Sequence, residues 1–130
     1  MKSMPVTNFM TTDLVTVTPD MDIHRAMKVL LERQVSGMPV IGKDGELVGI
    51  LSVKDCLKIA FSTSYHKDWA GSVSEFMSAE VETIESDTDI VEAAEIFLKN
   101  HYRRFPVVTD GRLVGMISRH DVLRALEELW

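Results

Sequence analysis

With 130 residues, 45% of them hydrophobic and 26% charged, the chain has the size and composition of one ordinary globular domain. Fourteen basic against 20 acidic side chains leave a formal charge of −6, which argues against a protein built to grip nucleic-acid phosphates but leaves room for one small anion held by local cations. No apolar run approaches the roughly 20 residues that span a bilayer. Met1-Lys2-Ser3-Met4-Pro5 has no apolar stretch of a signal peptide behind it, and a lone cysteine cannot close an internal disulfide; a cytoplasmic location is expected.

In chain order, Val15-Thr16-Val17 is a short β-rich run, and Pro19-Asp20 is expected to start a helix. Ile23, Ala26, Met27, Leu30 and Leu31 then fall on one face at helical spacing. Met38-Pro39-Val40-Ile41 and Leu47 to Ser52 read as strands flanking Asp44-Gly45, a strong hairpin signal. A second helix is expected from about Val53 to Ala60, with Cys56 as a small core side chain. Phe61 to Ser72, carrying Tyr65, His66 and Trp69, reads as a linker packed on the domain, with aromatic residues that would otherwise cover a ligand.

The same elements then return. Val6-Thr7-Asn8-Phe9-Met10 reappears as Val73-Ser74-Glu75-Phe76-Met77, and Met38-Pro39-Val40-Ile41 as Phe105-Pro106-Val107-Val108. Glu82-Thr83-Ile84 answers the first strand and Ser86-Asp87 the first helix start. Ile90, Ala93, Ala94, Phe97 and Leu98 answer the apolar helix face, and Asp110-Gly111 the hairpin turn. The last helix is expected from about Arg119 to Leu129, with Leu123 matching Leu57 and with Val122, Leu126 and Leu129 on one apolar face ending at Trp130. The chain is therefore read as repeat 1 over 1–60, a linker over 61–72 and repeat 2 over 73–130. The fold class is α/β (α+β), each repeat β-α-β-β-α. A copy this short buries too little surface alone, so the two are expected to pack sheet to sheet about a pseudo-twofold axis, with a cleft holding two equivalent pockets.

Two constellations stand out. Ser52-Val53-Lys54-Asp55 and Ser118-Arg119-His120-Asp121 follow the last strand of each copy. Ser-x-x-Asp is a capping box for the helix that follows. It also sets an acid at a helix entrance, where a carboxylate can accept hydrogen bonds from sugar hydroxyls; both readings can hold together. The second is Asn100-His101-Tyr102-Arg103-Arg104-Phe105-Pro106. The arginines either decorate the end of the preceding helix or capture phosphate with planar guanidinium groups. The equivalent Val35-Ser36-Gly37-Met38-Pro39 is uncharged.

Pro-Val-Ile/Val, the Asp-Gly turn, Leu-Val-Gly-x-x-Ser and x-x-Asp, all doubled from about Val6 to Leu126, resemble the tandem cystathionine-β-synthase (CBS) repeat, or Bateman module, and its stand-alone bacterial members. That resemblance implies an adenosine-type ligand in the cleft: AMP, ADP, ATP, S-adenosylmethionine or an adenine dinucleotide. It implies that Asp121 holds a ribose with Ser118 and His120 beside it, while Val35 and Ser36 border the adenine. The mirrored pocket would use Asp55, Ser52 and Lys54, with Tyr102 and Arg103 near the base, and Arg103 and Arg104 would meet phosphate. The neutral Ser36-Gly37 departs from basic versions, so the two pockets are not expected to hold phosphate equally. The family also implies a disc-like homodimer formed through the helices.

A regulatory nucleotide sensor is therefore expected, with no cofactor beyond that ligand, no metal and no nucleic acid. The alternative is a ligand-free module for dimerisation or for docking a regulated protein partner. Catalysis is not expected. His24, His66, His101 and His120 show no metal-type pairing, no phosphate loop or nucleophile elbow is present, and Asp55 and Asp121 are copies rather than an acid and base pair.

Overall fold

The computed structural model describes residues 4–66 and 70–130, leaving aside the side chains of residues 63–66. The linker residues Tyr65, His66 and Trp69 thus lie outside the described side chains. The chain divides into two compact units, Val15–Val81 and a second made of Met1–Leu14 with Glu82–Trp130. Two CBS-like repeats are visible as mixed helix and strand, but the units do not follow the repeat boundaries.

In Val15–Val81, helix α1 (Ile23–Arg33) leads into the antiparallel hairpin of β1 (Gly37–Ile41) and β2 (Leu47–Ser52), then α2 (Val53–His66) and the short α3 (Val73–Phe76). Pro19-Asp20 does not start α1. Met21 N–H donates to Thr18 O at 3.2 Å, so Pro19 occupies the second position of a turn, where its fixed φ fits. The cap is Asp22, whose carboxylate accepts from Arg25 N–H. The expected first strand shrinks to one parallel bridge, Val17 with Val40. Helix α2 outruns its expected end and takes in residues 61–66. Ile23, Ala26, Leu30, Met38, Val40, Leu51, Cys56, Ile59 and Val73 form the core.

In the other unit, β3 (Ile84–Glu85) pairs parallel with β4 (Arg104–Thr109), which pairs antiparallel with β5 (Arg112–Ser118); α4 (Ile90–Lys99) and α5 (Arg119–Glu127) pack beside this sheet. Here too the expected start is displaced. Ser86-Asp87 lies in a turn closed by Thr88 N–H on Glu85 O, and Asp89 caps α4 through Val91 N–H. Phe105, Ile84, Ile90, Ile117 and Val6 are fully buried in this core.

The hairpin turns differ in length, which brings the spacing of the repeats from 67 residues (Met38 to Phe105) to 66 (Asp44 to Asp110). Thr109 pairs with Arg112 across Asp110 and Gly111, both at positive φ (51° and 78°), a two-residue type I′ turn. The first hairpin has one residue more: Gly45 N–H returns to Gly42 O, Gly45 takes φ 82°, and Gly42 N–H meets Glu46 O.

Each unit is completed by a segment from the other repeat. Met77 lies over Gly49, and Ser78 bridges Ile50 on β2. Met10 lies over Gly115, and Thr11 bridges Met116 on β5. The Phe-Met motif of each repeat therefore closes the hairpin of the other. At both places a glycine admits the methionine, because a Cβ would meet its Sδ at 2.6 Å (Gly49) or 2.5 Å (Gly115).

Not every residue on the expected helix faces is buried. Leu31 and its counterpart Leu98 are 75% and 87% exposed, and Leu57 and Leu123 face solvent as a matching pair. On the last helix, Val122 enters the core and Leu126 packs against it, but Leu129 and Trp130 are exposed.

Candidate functional site

In each unit the antiparallel hairpin brings the segment before the proline and the Ser-x-x-Asp motif to the same strand end. Gly37 is opposite Ser52, and Val53 N–H donates to Ser36 O at 2.9 Å. Asp55 N–H donates to Ser52 Oγ at 3.1 Å while Ser52 N–H donates to Asp55 Oδ2 at 3.0 Å, a reciprocal capping box. Lys54 projects from the same turn, exposed, with half-buried Val35 and exposed Ser36 on the adjoining segment. Asp55 is half-buried, and its Oδ1 has no bonded partner among the described residues.

The second junction repeats this backbone closely. Arg104 is opposite Ser118, and Arg119 N–H donates to Arg103 O at 3.1 Å. Asp121 N–H donates to Ser118 Oγ at 3.1 Å, and Ser118 N–H to Asp121 Oδ2 at 2.9 Å. Capping is thus realised in both motifs. It takes up donors of the helix entrance, so a ligand there would meet the acid rather than a row of free N–H groups. A capped carboxylate still has lone-pair positions for further donors.

The side chains differ where the backbone does not. Asp121 is 8% exposed, the one buried charged residue among those described. Its Oδ1 accepts from Arg124 Nη2 at 3.3 Å, and the same nitrogen donates to Phe9 O at 3.3 Å. Arg119 donates through Nε to Tyr102 O at 3.1 Å and through Nη2 to Asn100 O at 3.4 Å. It is Arg119, then, that holds the carbonyls at the end of α4, the role considered for Arg103 and Arg104. Those two arginines are exposed and carry no ion pair among the described residues. His101 and Tyr102 stack at 4.8 Å, and Tyr102 meets Phe105 edge-on at 5.4 Å. His120 is exposed on the first turn of α5.

Arg119 and Arg124 were not singled out from sequence. The signal for Arg124 is its spacing of three from Asp121 on one helix face. Cys56, next to Asp55, is buried, and burial first and the Asp55 charge second push its thiol up. Among the described residues no three His, Cys, Asp or Glu side chains gather to hold a metal, and no helix is long and apolar enough to cross a membrane. The arrangement offers acceptors for hydroxyl groups beside fixed cations and an aromatic face.

A duplicated β-α-β-β-α unit with a capped acid after the last strand of each copy defines a tandem-repeat α/β module. The chain belongs to the CBS domain family, whose model matches residues 6–62 and 73–128. It is 30% identical, over 93% of its length and 72% of the relative's, to an uncharacterized 17.7 kDa protein of Acidianus ambivalens. It is 33% identical to inosine-5′-monophosphate dehydrogenase of Methanocaldococcus jannaschii, of which it spans 21%, and 32% identical to the chloroplastic protein CBSX1 of Arabidopsis thaliana, of which it spans 59%. Among solved structures, CBSX2 in complex with AMP superposes with a TM-score of 0.81 at 31% identity, covering 97% of this chain and 98% of that one.

Proposed function

We propose that the chain is a regulatory module that binds an adenosine nucleotide, with Asp55 and Asp121 as the ribose acids. Ser52 with Lys54 and Ser118 with His120 flank those acids. Arg103 and Arg104 supply the phosphate cations, and Val35, Ser36 and Tyr102 supply the surfaces beside the base. The observation that carries the reading is the repeated junction: each acid is held rigid by its cap at the strand end where the pre-proline segment also arrives. The likeness to AMP-bound CBSX2 over nearly the whole of both chains supports adenosine as the ligand class. The nucleotide acts as a regulatory ligand rather than a cofactor, shifting the module between states only by its differential affinity for them. The module itself catalyses nothing and works in the cytoplasm.

A second reading, association through the helices, rests on the four leucines left exposed at matching positions, Leu31 with Leu98 and Leu57 with Leu123. Leu98 and Leu123, together with Val122 and Leu126, line a groove of about 370 Å³ between α4 and α5. Such apolar surface suits a second copy of the chain, and this homodimer accompanies nucleotide binding rather than replacing it. A regulated protein partner would dock on the assembled module.

A thermal-shift series over AMP, ADP, ATP, S-adenosylmethionine, NAD and cyclic dinucleotides tests the reading. A specific ligand at 100 times its Kd stabilises by about 2.7 kcal/mol. Asp121→Asn, which keeps an acceptor for the cap but removes the charge, is expected to abolish most of the part of that gain due to its site. Asp121→Ala also lowers unliganded stability, by about 1 kcal/mol, because the cap loses its partner. A flat response to every nucleotide would leave only the association module.

A further inference from the structure

The two ribose acids are alike in their caps and unlike in what holds the oxygen turned away from the cap. Asp121 Oδ1 accepts from Arg124 Nη2 at 3.3 Å, whereas Asp55 bears no ion pair among the described residues. The residue equivalent to Arg124 in the first repeat is Lys58, which is exposed and makes no such contact. Arg124 is held from a second side, since the same nitrogen donates to the carbonyl of Phe9 at 3.3 Å. One nitrogen of the guanidinium, Nη2, is therefore placed between two acceptors, both at 3.3 Å.

We infer that Arg124 is an affinity-determining residue that occupies Asp121 in place of a ligand hydroxyl, so that the two acids take vicinal diols in order, Asp55 first and Asp121 second. The inference rests on the proposed nucleotide reading. A ribose donates through both of its adjacent hydroxyls and uses both outward-facing acceptor positions of a carboxylate. At Asp55 one oxygen serves the Ser52 N–H, and the other, Oδ1, has no bonded partner among the described residues. At Asp121 one oxygen serves the Ser118 N–H and the other serves Arg124, so the diol has to displace the guanidinium or share its oxygen. The Arg124 side chain is half exposed, so water screens the pair and the handicap is modest.

The test is calorimetric titration with AMP and with 2′,3′-dideoxy-AMP, which lacks the diol, using the Asp55→Asn protein so that only the Asp121 step is read. Arg124→Gln is expected to tighten AMP by about two- to five-fold, the range an exposed ion pair of this kind is worth, and to leave the dideoxy compound unchanged. Arg124→Lys, which copies the first repeat, is expected to fall between, and it stands in should the Gln protein not fold. Equal tightening of both compounds, no change, or weaker AMP binding would each overturn the competition. If the unsubstituted protein ignores AMP and every other adenosine nucleotide, the nucleotide reading fails, and this one goes with it.

Discussion

The strand-to-helix junctions of the two units share a backbone and differ in their dressing. Both have a reciprocal Ser–Asp cap, both pass the first helical N–H to the carbonyl of the residue three places before the proline, and both have a register shift just after the residue that follows the proline. Yet one has neutral Ser36-Gly37 and an exposed Lys58 with no ion pair among the described residues, and the other has Arg103-Arg104, the Arg119 strap and the Arg124 pair. Duplication has preserved what the chain needs in order to fold and varied what a ligand would touch.

The largest effect should come from cutting the chain. A fragment of residues 15–81 holds the whole of one compact unit, whereas a fragment of residues 1–72 holds the whole first repeat and its linker but lacks Val73, which is fully buried in that unit's core, and the Met77 that closes its hairpin. The 15–81 piece is expected to melt cooperatively by circular dichroism and the 1–72 piece to show no transition. If the shorter-reaching piece melts as well, the exchanged segment is an ornament.

Next in size is the pair of glycines. A Cβ on Gly49 would meet Met77 Sδ at 2.6 Å and also the Ser78 carbonyl oxygen at 2.9 Å, whereas on Gly115 its three nearest neighbours are all atoms of the flexible Met10 side chain. Gly49→Ala should cost about 3 kcal/mol and Gly115→Ala about 1 kcal/mol, the two ends of the usual overpacking range, read from urea midpoints. Equal losses would mean that the second methionine is as confined as the first.

The smallest effect separates the units by pH. Cys56 is buried with a raised thiol, and its counterpart is Val122. A group whose folded pKa is raised contributes stability that is intact below its unfolded value, near 8.5, and fades as pH climbs toward the folded one. The wild-type protein should therefore lose stability above about pH 8.5, and Cys56→Val, which copies the other repeat, should flatten that decline in denaturation curves.

Much of this was legible in the residues. Repetition, both hairpins, the two long amphipathic helices and the capped acids follow from local patterns that report on neighbours a few places away. Pro19-Asp20 misled because a proline that suits a helix start also suits the turn before it, and the cap falls to Asp22. Leu31 and Leu98 misled because an apolar stripe wider than the core leaves its edge in water. The exchange of Met10 and Met77 left no local mark, since the partner of each lies on a strand of the other repeat. The Arg124 contact depends on where Phe9 arrives, which is equally remote in sequence.

That exchange sets an order of assembly on the ribosome. Every piece of the 15–81 unit has been synthesised once Val81 is added, so this half can close while the rest of the chain is still being made. The segment with Val6 and Met10 has to wait until β5 has been made, well after the 15–81 unit is complete. Until then its apolar side chains are uncovered, and the nascent chain is most open to mispairing with a neighbour during that interval.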